Sequence, residues 1–112
     1  MAEDDPGIQD SARLIFERAG YRITIFPNGD PLLSGAFDIP DIFILDKQLS
    51  GVDGLDICRH LKSMAATARI PVIILSASPQ IVRLAELAGA DAALEKPFKM
   101  QELRHLVTGL TQ

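Results

Sequence analysis

Ile42, Phe43, Ile44 and Leu45 follow one another with no polar residue between them. Pro40 closes the run on one side and Asp46 on the other, and a Ser-Gly pair follows at 50 and 51. A strand with one wet face alternates apolar and polar residues. An unbroken short run instead marks a strand covered on both faces, as in a parallel sheet. Ile70 to Leu75 repeats the pattern with Pro71 early in it, and Asp91 to Leu94 is a shorter version. Tyr21 to Phe26 is β-rich and reads as a further strand, ended by the turn Pro27-Asn28-Gly29.

Strands covered on both faces need helices to cover them, and the intervening segments have that spacing. Asp5 before Pro6 is a helix start, Ile8, Ala12, Ile15 and Ala19 recur at helical intervals, and Gly20 stops the run. Asp30 to Gly35 holds a short helix. Leu55, Cys58, Leu61 and Met64 give one face of a longer helix, which Asp53 is placed to cap. Ser78 and Pro79 open a helix with Ile81, Val82, Ala85 and Ala88 apolar, and Gly89 ends it. Leu103, Leu106, Val107 and Leu110 mark the last helix. Alternating strands and helices predict an α/β fold with a parallel sheet and helices on both faces. The 112 residues suit one domain, residues 1–112, with no repeat or linker.

Composition narrows the function. The formal charge of −4 offers no basic patch for phosphate backbones, so no direct nucleic-acid partner is expected. No apolar run approaches the roughly 20 residues of a membrane span, and MAEDDP lacks the apolar core of a signal peptide. The single cysteine, Cys58, has no internal disulfide partner, reads as a packing residue and fits a reducing, cytoplasmic compartment. His60 and His105 sit among charged neighbours on helices and read as surface residues.

The chemistry-bearing residues stand where strands end. Asp4 and Asp5 precede the first helix, Asp46 and Ser76 follow two strands, and Lys96 follows the last. In an open α/β sheet such positions converge beyond the carboxyl ends of the strands. Crowded carboxylates take up protons or recruit a cation, and an all-oxygen site with room for water suits Mg²⁺. A lysine and a hydroxyl opposite would complete a cradle for phosphoryl oxygens, with a carboxylate as nucleophile. Each residue also has a plainer reading: a helix-capping acidic terminus, a turn hydroxyl, a surface lysine.

Taken together, EDDP at 3–6, ILD ending at Asp46, GVDG at 51–54, VIILSAS at 72–78, GADA at 89–92 and EKPF at 95–98 resemble the receiver domain of response regulators in two-component signalling. The resemblance covers nearly the whole chain in the family's order. It implies a flavodoxin-like doubly wound sheet of strand order 2-1-3-4-5. It implies that Asp46 accepts a phosphoryl group from a histidine kinase or phosphotransfer protein. It implies Mg²⁺ held by Asp4, Asp5, Asp46 and the backbone carbonyl of Gln48, with Ser76 and Lys96 on the phosphoryl oxygens. It also implies a cis Lys96-Pro97 bond and no catalysis beyond the domain's own phosphorylation and dephosphorylation. Gln48 and Ser78 flank the path of an attacking water and are expected to modulate hydrolysis.

Two departures alter the expectation. The family's aromatic switch position, three residues before the lysine, is Ala93. The family's central first strand has only Met1 and Ala2 to represent it before Glu3, so the sequence looks like a receiver domain that begins after that strand. Either the flanking strands would close on each other, carrying the acidic residues off the rim, or a second copy would contribute structure across the gap. The second outcome is the expected one, as a homo-oligomer. A displaced pocket would leave an unphosphorylated interaction module. A small aspartate-nucleophile phosphohydrolase would need a second acid where Gln48 stands.

Overall fold

The computed structural model describes residues 1–112. Its helices are α1 (Pro6–Arg18), α2 (Asp30–Ser34), α3 (Gly54–Ser63), α4 (Ile81–Leu87) and α5 (Met100–Thr111). Its strands are β1 (Phe43–Asp46), β2 (Gln48–Leu49), β3 (Val52–Asp53), β4 (Val72–Ser76) and β5 (Ala92–Glu95). The main sheet runs β1-β4-β5, all parallel, with Asp46 opposite Leu75 and Ser76 opposite Glu95. β1 and β4 are buried throughout, as their unbroken apolar runs require.

Residue alternation divides the core between the two faces. Phe43, Leu45, Val72 and Ile74 pack with Leu55, Ile57, Cys58 and Leu61 of α3 and with Ile81 and Ala85 of α4. Ile44, Ile73 and Leu75 pack on the other face with Ala12 and Phe16 of α1 and Leu103 and Val107 of α5. Phe16 is the main core residue of α1 that the helical spacing left out. Met64 is half exposed, because α3 ends at Ser63 and Met64 has turned to extended backbone. The segment after Asp46 also forms a small hairpin that local sequence did not announce: β2 and β3 pair antiparallel across Ser50 and Gly51.

The amino terminus departs from the expectation that the strands flanking it close on each other. No regular strand precedes α1, yet the slot between the flanking segments is partly filled and they do not close on each other. Ala2 pairs in parallel with Leu45 on one side and Phe26 on the other. Its N–H donates to the Ile44 carbonyl and its carbonyl accepts from Asp46 N–H. Met1 and Glu3 bond toward the other edge, through Met1 O to Phe26 N–H and Glu3 N–H to Phe26 O. The spatial order is therefore Phe26, Ala2, β1, β4, β5, which in chain order is 2-1-3-4-5. Tyr21 to Phe26, expected as a strand, pairs only at Phe26. A segment whose inner neighbour supplies three residues has too few partners to form a regular ladder.

Candidate functional site

Asp46 ends β1, Ser76 ends β4 and Lys96 follows β5, so the parallel register brings all three to one rim. Lys96 Nζ lies 3.1 Å from Asp46 Oδ2 and 3.2 Å from Glu3 Oε1. The other Asp46 oxygen, Oδ1, accepts from Gln48 N–H at 3.3 Å. Ser76 is buried; its Oγ accepts from Ser78 N–H at 3.0 Å, and its carbonyl accepts from Lys96 N–H at 2.7 Å. The Lys96-Pro97 bond is cis.

Three carboxylates gather there, and they are Glu3, Asp4 and Asp46, with oxygens all within 4.8 Å of one another. Asp5, expected among them, faces away. It caps α1, accepting from Gly7 N–H at 2.8 Å and Ile8 N–H at 3.2 Å. The physical reason is Pro6. With proline at the first helical position, the residue before it takes the cap conformation, and a capping side chain points at its own helix. Glu3, the residue of the ladder that faces the rim, joins the cluster instead. The signal for it was available, since the cap reading of Asp5 before Pro6 already assigned that carboxylate a local partner.

Burial and neighbours set the charge state. Glu3 is fully buried, and desolvation, a hydrogen bond with Asp46 and repulsion from Asp46 push its pKa up to about 7, against the opposing pull of Lys96. Burial alone would lower Lys96. The hydrogen bond to Asp46 and the two carboxylate charges outweigh it and hold the lysine above its ordinary value. An ammonium thus compensates two buried carboxylates, while Asp4 stays exposed at the mouth. A hard divalent cation fits this donor set. Mixed carboxylate oxygens beside solvent, without sulfur or imidazole, suit Mg²⁺, and a cation there would relieve the repulsion that raises Glu3.

The surrounding elements hold Asp46 in place. A Cβ on Gly54 would land inside contact distance of the Asp46 carbonyl, so only glycine lets α3 begin there. Asp53 caps α3 through Leu55 N–H and pairs with Lys47 at 2.8 Å, fixing the loop after Asp46. Gln48 and Ser78 touch the rim through their backbone N–H groups, while their side chains turn elsewhere. Gln48 is exposed, and Ser78 Oγ bonds Gln80. His105 is exposed, His60 is half-buried, and Cys58 is fully buried with its thiol directed at the Ala88 carbonyl. Ala93 pairs with Ile74 in the β4–β5 ladder and places no ring beside Ser76.

A doubly wound parallel domain with an acidic pocket and a lysine at its carboxyl rim is one class of protein. The family described as response regulator receiver domain matches residues 1–108, and this chain belongs to it. The transcriptional regulatory protein CseB of Streptomyces coelicolor is 39% identical over 101 residues, covering 88% of this chain and 42% of that protein. The chain thus spans less than half the length of that relative. A putative response regulator from Chloroflexus aurantiacus superimposes with a TM-score of 0.90 at 27% identity, over 98% of this chain and 93% of that one. The receiver domain of sensor histidine kinase PA1611 from Pseudomonas aeruginosa, with magnesium coordinated in its active-site cleft, gives 0.86 at 28% identity over 98% and 93%.

Proposed function

We propose that this receiver domain takes a phosphoryl group onto Asp46 from a phosphohistidine of a histidine kinase or phosphotransfer protein. The observation that carries this reading is Lys96 Nζ, held between Asp46 and Glu3, with the buried Ser76 bonded to the Lys96 backbone at the end of the neighbouring strand. An Asp46 oxygen forms the new bond to phosphorus. The phosphorus–nitrogen bond breaks, and its electron pair leaves with the imidazole. Lys96 and Ser76 are placed to bind the phosphoryl oxygens and neutralise charge that spreads over them in the transition state. Glu3, Asp4, Asp46 and the Gln48 carbonyl would hold Mg²⁺, which supplies the remaining positive charge.

The test uses Mg²⁺ and acetyl phosphate with intact mass spectrometry. One phosphoryl group should appear, and none on Asp46→Asn; equal labelling of that variant would exclude Asp46 as the acceptor. Followed over time, the label should decay at altered rates in Gln48→Ala and Ser78→Ala, which should both still form it. Unchanged decay would remove these two side chains from the path of the hydrolytic water.

A further inference from the structure

Gln9 reaches back from the first turn of α1 toward the rim. Its Nε2 donates to the Glu3 carbonyl at 2.6 Å. Side chains of a helix lean toward its amino end, so a residue at this place can extend past the cap. The helix itself does not need this bond. Asp5 already accepts from Gly7 and Ile8 N–H, Gln9 N–H donates to Asp5 O at 3.0 Å, and Ala12 and Phe16 bury the inner face of α1.

The Glu3 carbonyl has no backbone donor. In a continued parallel ladder the donor would be Asn28 N–H, two residues beyond Phe26. Glu3 N–H does donate to Phe26 O, but the chain then bends away through Pro27, Asn28 and Gly29. Gln9 takes the vacated place. The same peptide group carries Asp4 N–H on its opposite edge, because the C=O and N–H of a trans peptide point apart. That N–H donates to Glu3 Oε2 at 3.0 Å, and Asp5 N–H adds a longer bond to the same oxygen at 3.4 Å. The other oxygen, Oε1, is left facing Lys96 Nζ at 3.2 Å. The peptide that joins two of the three clustered carboxylates is thus held at both edges.

We propose that Gln9 is a positioning residue for the acidic cluster, fixing the Glu3–Asp4 peptide in the orientation that turns an N–H toward the Glu3 carboxyl group. Without the Gln9 bond this peptide can rotate between its two Cα atoms. The flipped orientation would direct a carbonyl oxygen at Glu3 Oε2, which removes a donor and adds repulsion. The Glu3 carboxyl group would then leave the place from which it and Asp4 face one cation. Groups that orient a metal ligand from behind contribute heavily to metal affinity, and this sets the size of the expected effect. The proposal rests on the reading of Glu3, Asp4 and Asp46 as a Mg²⁺ site. Gln9 acts on that site only through the peptide.

The test is an NMR titration of the full chain with Mg²⁺, on the parent and on Gln9→Met, which keeps the reach of the side chain but has no donor. Circular dichroism should show the fold retained. Without metal, exchange of the Asp4 amide should quicken at least threefold in Gln9→Met. Its Mg²⁺ affinity should fall about tenfold. Gln9→Asn, too short to span to the carbonyl, should do the same. Thr108→Val removes the Tyr21–Thr108 bond of 3.3 Å beyond the other end of α1 and should change neither quantity. Parent-like affinity in both Gln9 variants overturns the proposal, whether or not Asp4 exchange quickens. Equal weakening by Thr108→Val also overturns it, because general loosening of α1 would then account for the loss. A parent that binds no Mg²⁺ refutes the metal-site reading and the proposal with it, whereas a parent that binds Mg²⁺ no better than its Gln9 variants refutes the role of Gln9 alone.

Discussion

Glu3 and Asp5 are two residues apart in the chain and serve different purposes, and substitution separates them. Glu3 binds a proton in the fold up to about pH 7, against 4.5 for the free side chain. Between those values the folded state holds more protons than the unfolded one. The stability this carboxyl contributes is complete below 4.5 and is lost as pH rises through 7, a loss on the order of a few kcal/mol. In the metal-free protein, the unfolding midpoint of the parent minus that of Glu3→Gln should therefore fall between pH 5 and pH 8. The Met1 amine, common to both, cancels in this difference. A difference that stays level or rises would refute the buried, proton-holding state of Glu3. Asp5→Ala should cost about 1 kcal/mol through the lost cap and leave Mg²⁺ affinity unchanged. Asp4→Ala should weaken Mg²⁺ binding with little change in stability. Calorimetric titration with Mg²⁺ beside urea unfolding distinguishes the two; weakened Mg²⁺ binding in Asp5→Ala would return Asp5 to the ligand set.

Among the elements, α3 and the loop before it constrain the site most. Gly54 packs directly on the Asp46 backbone, so Gly54→Ala forces α3 away or moves Asp46. The expected result is a destabilisation of about 1–3 kcal/mol, typical of overpacking, with slower labelling by acetyl phosphate. Normal stability and labelling would mean that the helix start yields freely. The long elements were legible in the sequence because each buries a continuous run or stripe: β1 and β4 by their unbroken apolar residues, α3 and α5 by residues three and four apart. The capping of α1 by Asp5 and of α3 by Asp53 was also legible, since caps are written locally. The β2–β3 hairpin was not, being only two residues deep on each side. Nor was the pairing of Ala2 with both Phe26 and Leu45, because nothing local to Ala2 specifies two distant partners. Of the rim, Asp46, Ser76 and Lys96 could be placed from strand ends. The exchange of Asp5 for Glu3 needed the conformation set by Pro6.

Across the whole molecule, the ends of the sheet are held differently. The rim carries close carboxylates and a shared lysine. At the opposite end, Lys62 Nζ ties α3 to the start of the strands, donating to Ile70 O at 2.9 Å and pairing with Asp91 at 2.9 Å. Asp91 in turn accepts from Val72 N–H at 2.9 Å. Lys62→Met should keep the apolar stem but leave these acceptors without their cation, at a cost of about 1–3 kcal/mol. Mg²⁺ affinity and Asp46 labelling should not change; a loss of either would show that the two ends are coupled through the sheet. The Ala2 ladder also couples two parts of the rim mechanically. Asp46 N–H donates to the Ala2 carbonyl, one residue before Glu3, so the backbone that carries Glu3 and Asp4 shifts only together with the backbone of Asp46.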